Sequence, residues 1–154
     1  MGHSMSIDPR YRKSKVIETT SKILCATDGE PPSDIPVTLA AQLAAKLGAK
    51  LSIIAVNILV FDARGGSSHL WTDEKLADVV DRAVKTAKTA GALTVEAIKA
   101  FGRDPAAVIV DYAEKNGFDH IVVGSPRIGI ARLVLGSVAA EIAAKAHCPV
   151  TVAR

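Results

Sequence analysis

His120-Ile121-Val122-Val123-Gly124-Ser125-Pro126-Arg127-Ile128-Gly129-Ile130-Ala131-Arg132-Leu133-Val134-Leu135-Gly136-Ser137 decides how the rest of the chain is read. It opens on a short apolar, β-branched run, which predicts a buried strand over 120–124. A glycine-containing loop over 125–132 follows. The chain then enters a helix at Gly136-Ser137, read as running to Ala146 with Val138, Ile142 and Ala146 inward. Strand, glycine loop and helix in that order is the repeating unit of an open α/β sheet.

Working backwards, the same unit recurs. Asp104-Pro105 is a helix start, a capping residue followed by proline at the first helical position. Val108, Ile109, Tyr112 and Ala113 make that helix's apolar stripe, and Asn116-Gly117 ends it. Thr94 to Lys99 alternates and reads as a strand. Before it, Leu76, Val79, Val80, Ala83, Ala87 and Ala90 recur at helical spacing. Thr72 offers the cap, Asp73 and Glu74 suit the positive helix end, and Gly91 is the stop. Lys50 to Val56 reads as a strand, followed by a polar loop that includes Arg64-Gly65-Gly66-Ser67-Ser68. Ser33 is read as the cap of a helix with Leu39, Ala40, Leu43, Ala44 and Leu47 on one face. Pro36 falls in its first turn and Gly48 ends it. Lys22 to Thr27 is a buried strand running into Asp28-Gly29, and Pro149 to Ala153 is the last strand.

Five strands thus alternate with four helices. The expectation is an α/β fold, an open five-stranded parallel sheet with helices on both faces, Rossmann-like in layout. Ligands of such sheets bind outside the carboxyl ends of the strands, where the strand order reverses. The first and fourth strands are the expected neighbours there. That brings Ala26-Thr27-Asp28 beside Gly124-Ser125 and the loop that follows.

Composition narrows the function classes. Hydrophobic residues make up 49% of the 154 residues but aromatics only 4%. The core is therefore built of Ala, Val, Ile and Leu, as a parallel sheet covered by helices requires. No apolar run reaches the roughly 18–20 residues of a membrane span, and no secretory signal precedes the first strand. The net charge of +3 lies in residues 1–22, where five basic side chains face Asp8 and Glu18. The remainder is balanced, so the footprint of a nucleic-acid groove is missing from the folded body. Residues 1–21 read as a flexible tail, with Met1 to Met5 a cloning remnant, and 22–154 as one domain. Cys25 and Cys148 lie far apart with no pairing or metal spacing, which suits reduced thiols in a cytoplasmic protein.

Two chemical readings of the 124–137 segment compete. In one, Gly124 lets the backbone approach an anion, and the Ser137 hydroxyl and the free N–H groups of the helix start hold a phosphate, with Arg127 and Arg132 adding charge. In the other, Gly124 merely ends a strand, Ser137 caps a helix and the arginines face water. Catalysis has no comparable signal. There is no phosphate loop of the Gly-x-x-x-x-Gly-Lys type, no Gly-x-Ser-x-Gly elbow and no His-Glu-x-x-His. His69, His120 and His147 are scattered, and no catalytic or metal-binding residue is assigned. A lone Asp28 carboxylate argues for no metal site by itself.

The segment resembles the signature of the universal stress protein family, in which a glycine is followed after two residues by glycine and after nine more by Gly-Ser or Gly-Thr. Similar stretches lie at 22–29, at Gly102-Arg103-Asp104-Pro105-Ala106, at 118–125, and at Gly136-Ser137-Val138-Ala139 with 147–152. The resemblance covers about residues 22–154. It implies five strands in the order 3-2-1-4-5, a homodimer and, in one branch, bound ATP or AMP, with Mg held only through the phosphates. Carried over, Asp28 meets the ribose or adenine and the backbone near Ala26 and Val56 flanks the base, with Thr27 also in the binding set. Gly124, Ser125, Gly136, Ser137 and Val138 sit against ribose and phosphates. This chain has one residue fewer between Gly124 and Gly136 than the signature. Either Arg127 stands in place of the second glycine and pairs with phosphate, or that glycine is deleted and Gly129 matches a later position. The expectation is an adenine-nucleotide binder of stress regulation that dimerises through Pro149 to Ala153 and hydrolyses ATP slowly at most. The alternatives are a dimeric interaction module that takes no nucleotide and an enzyme of the wider fold group.

Overall fold

A computed structural model describes residues 20–31, 33–125 and 135–154. The apolar runs become strands because alternate side chains find a helix layer on each side. In β1 (Lys22–Ala26), Ile23 and Cys25 face one layer and Leu24 faces the other, all fully buried. The first layer is α1 (Asp34–Leu47) and α2 (Asp73–Thr89). The second is α3 (Pro105–Lys115) and α4 (Ser137–Lys145). The two-sided covering matches the expected class.

β1 pairs in parallel with β2 (Lys50–Phe61) on one side and β5 (His120–Gly124) on the other. Beyond β2 lies β4 (Val95–Gly102), also parallel, and beyond β5 lies β6 (Val150–Ala153). One strand departs from the expected order. β3 (Ser67–His69) pairs antiparallel with residues 59–61 of β2, giving six strands. The 64–68 stretch that reads as a polar loop is half turn and half strand. The Asp62 carboxylate accepts from the N–H groups of Arg64 and Gly66, both at 2.8 Å, and Gly65 takes φ +83°. An Asx turn of this kind reverses the chain in few residues and lets β2 run on to Phe61, five residues past Val56.

Two helix readings also change. Ser33 precedes α1 but does not cap it: its backbone is already helical (φ −62°, ψ −14°) and its N–H donates to Glu30 O at 2.6 Å. A capping side chain needs an extended backbone, as at Thr72, whose hydroxyl accepts from Lys75 N–H at 3.2 Å. The buried face of α1 is Val37, Ala40, Ala41 and Ala44, with Leu47 left half exposed. Alanines let the helix approach the sheet closely, and the leucines move to its flanks. Gly48 ends the helix at φ +65°, as expected.

Candidate functional site

The carboxyl ends of β1 and β5 and the middle of β2 open into a cavity of about 560 Å³. That volume lies within the roughly 300–1,000 Å³ of small-molecule sites. Three groups of side chains line it. Ala26, Thr27, Asp28, Gly124, Ser125 and Val123 come from the ends of β1 and β5. Ile54, Val56, Ile58, Leu70 and Trp71 come from β2 and the chain after β3. Pro36, Pro105, Ile109 and Val138 come from the helices. The wall is mainly apolar, with a few polar groups gathered at the strand ends.

The polar groups are ordered by local bonds. Thr27 is buried, its N–H extends the ladder to Ile54 O at 3.0 Å, and its hydroxyl accepts from Gly29 N–H at 3.3 Å. The exposed Asp28 accepts from Glu30 N–H at 3.0 Å through one carboxylate oxygen. Gly29 closes this turn at φ +74°, where a Cβ would also stand 2.6 Å from a Val79 methyl. From α2, Arg82 donates to Gly29 O at 3.2 Å and ties the turn from behind. Ser125 joins three elements: its N–H donates to Ala153 O at 3.2 Å, and its hydroxyl accepts from Gly136 N–H at 3.3 Å. Gly124 brings β5 close to α1, since a Cβ there would lie 3.2 Å from the Pro36 ring.

Ala26, Thr27, Asp28, Val56, Gly124, Ser125 and Val138 therefore share one cavity. Gly136 and Ser137 do not line it but adjoin it through Ser125 and Val138. The cap of α4 is Gly136, in extended geometry, and Ser137 is the first helical residue, with no capping side-chain bond. Among the described residues, the first backbone bond of α4 runs from Ala140 N–H to Gly136 O. Arg127 and Gly129 lie outside the described residues, as do most of the 125–132 loop and nearly all of the 1–21 tail. Sequence reading missed Ile58, Leu70 and Trp71, because it ended β2 at Val56 and read no strand at 67–69.

The site carries no reactive thiol at its base. Cys25 lies one residue before Ala26, but burial pushes its thiol up to about 12, so it stays protonated.

A sequence profile of the universal stress protein family matches residues 19–154. A solved structure described as a universal stress protein in complex with cAMP superposes with a TM-score of 0.72 at 27% identity, covering 88% of this chain and 98% of that one. A universal stress protein from Archaeoglobus fulgidus shares the fold with a TM-score of 0.68 at 24% identity, covering 88% and 95%. The curated Universal stress protein MJ0531 of Methanocaldococcus jannaschii is 47% identical over 51 residues, 32% of this chain and 30% of that relative. The short match spans less than a third of the relative's length, whereas the profile runs from just before the first strand to the last residue of the sequence. On the strength of that profile, and of a parallel sheet with its crevice at the strand ends, the chain belongs to the universal stress protein family.

Proposed function

We propose that the chain binds an adenine nucleotide, AMP or ATP, as a stress-response regulatory protein. The observation that carries this reading is the meeting of Asp28, Ser125 and Val138 around one largely apolar cavity beyond the strand ends. An apolar wall with a few convergent polar groups suits a flat base joined to a polar sugar phosphate. The base lies against Ala26, Thr27 and Val56, and the Asp28 carboxylate accepts from ribose hydroxyls. The phosphate meets Gly124, Gly136, the Ser125 side chain that Gly136 N–H holds, and the amides of Ser137 and Val138, where the positive end of the α4 dipole favours an anion. Arg127 and Gly129 are assigned to the phosphate side on sequence alone. Mg accompanies ATP only through the phosphates, and no residue is assigned to catalysis. The 27%-identical structure described in complex with cAMP supports the ligand class.

The same reading takes the protein as a cytoplasmic homodimer. The outer edge of β6 supplies the pairing surface, since an open sheet edge favours a partner strand. Residues 22–154 form the domain and the preceding residues a tail.

The test is mass spectrometry of small molecules released on denaturing freshly purified protein, with calorimetry of added AMP and ATP. The expected result is adenine nucleotide near one per chain and binding that Asp28→Ala weakens. Release of nothing, with no heat from either nucleotide, leaves a fold-sharing interaction module instead.

A further inference from the structure

The chain holds one tryptophan, Trp71, between β3 and α2. A single side chain grips its backbone at both ends. Asn57 Oδ1 accepts from Trp71 N–H at 2.9 Å, and Asn57 Nδ2 donates to Trp71 O at 2.9 Å. Next to this clamp, Leu70 N–H donates to Ile58 O at 2.8 Å. Asn57 is only 1% exposed and interrupts the otherwise apolar run from Ile53 to Phe61 in β2. A carboxamide buried there is tolerated because both its ends are satisfied. Valine or isoleucine would serve β2 as well, so Asn57 is there for what it holds.

What it holds is one wall of the cavity. Leu70 and Trp71 line the cavity, and Trp71 also packs on the cluster of Ala55, Leu76, Val79 and Val80. The β3 strand that delivers them is three residues long and each of its residues is exposed, so it adds little to the core. Leu70 lines the cavity while remaining 56% exposed. An indole anchored on α2 and fixed to β2 is a preset surface for a flat ring, because aromatic faces stack without needing a particular hydrogen-bond pattern.

We propose that Trp71, with Leu70 beside it, is the base-selecting wall of the cavity. It favours a purine, whose two fused rings reach from Val56 to the indole, over a pyrimidine, and Asn57 is the residue that positions it. This rests on the nucleotide reading above and adds to it the residue that discriminates between bases. Trp71 touches the ligand; Asn57 acts only through Trp71.

The sole indole reports on its own role. AMP and CMP are titrated into the wild type, Trp71→Phe, Trp71→Ala and Asn57→Ala, followed by calorimetry and, where Trp71 is present, by fluorescence. In the wild type, AMP changes the indole emission over the concentrations that give heat. Trp71→Ala weakens AMP roughly tenfold, the scale of one base stack, and CMP much less, so the AMP-to-CMP ratio falls. Trp71→Phe keeps most of that ratio. Asn57→Ala lowers it and shifts the free protein's emission to the red. If Asn57→Ala does not fold, the two Trp71 variants decide. Heat from AMP with unchanged emission, and an unchanged AMP-to-CMP ratio in Trp71→Ala, overturns the inference alone. No heat from any nucleotide in the wild type overturns the nucleotide reading and this inference together.

Discussion

The two ends of the parallel sheet are finished in opposite ways. At the amino end the polar groups turn on one another. The Asp119 carboxylate accepts from Ser21 N–H and Oγ–H, both at 2.8 Å, and from Lys22 N–H, while Asp119 N–H donates to Lys22 O at 3.1 Å. The Lys22 ammonium donates to Asn116 O and lies 4.6 Å from the centre of the Phe118 ring. Ser21 O also accepts from Lys50 N–H at 2.9 Å, so β1, β2 and β5 are knotted where they begin. At the carboxyl end, among the described residues, Asp28 bonds within its own turn, and the β1 end and the chain after β3 both line one cavity. One end uses its carboxylate to close the fold. The other leaves its carboxylate available beside a cavity, so a change at either end should register in a different measurement.

The strongest way to break that contrast is at Gly29. Any side chain there must adopt φ +74° and meet Val79 at 2.6 Å. Gly29→Val should cost about 2–4 kcal/mol, backbone strain and overpacking together, read from urea unfolding. A second substitution, Val79→Ala, relieves the steric part and leaves the dihedral strain, so it restores only a fraction. If Gly29→Val is neutral, the Asp28 turn is not held in this form and the carboxyl end loses its defined geometry.

Asp119→Ala should come next, at about 1–3 kcal/mol, because it strips a charged acceptor from several donors at once. Nucleotide affinity should not change. Asp28→Ala should do the reverse: stability within about 0.5 kcal/mol of wild type, as for other surface changes, with weakened ligand binding in calorimetry. Both variants altering both properties would erase the distinction between the ends.

The same contrast explains what the sequence made legible. The strands were readable because burial on both faces leaves long apolar runs such as Ile23 to Ala26 and Ile121 to Val123. Helix starts were readable where a side chain does the capping, at Thr72 and Asp104, and misread at Ser33, where a turn does that work. Asp28, Gly124 and Ser125 stood out because strand ends at a reversal of order converge. Leu70 and Trp71 did not, because they reach the cavity through a short hairpin. Its signal is one Asx turn at Asp62 in a polar stretch, and its anchor, Asn57, lies 14 residues from Trp71. A tertiary bond of that span leaves no periodicity to read.

The smallest expected effect concerns protons at the closed end. His120 opens β5, and its Nε2 lies 2.7 Å from the Thr151 hydroxyl of β6. Burial lowers its pKa from the ordinary 6.5, and the neighbouring Asp119 carboxylate opposes that only in part. The folded value therefore lies below the unfolded one, and between the two the unfolded chain binds more protons. Stability rises with pH through that window, is complete above the unfolded value, and is lost as the pH falls through it. His120→Gln keeps a partner for Thr151 but cannot titrate. Urea unfolding from about pH 8 to about pH 5.5, across the range where histidine titrates, should show the wild type losing more stability than the variant. A steeper loss in His120→Gln would mean that the Asp119 charge outweighs burial and that the β5–β6 contact is made by an imidazolium. The amino end would then be held by charge on two strands, with His120 drawn into the Asp119 cluster.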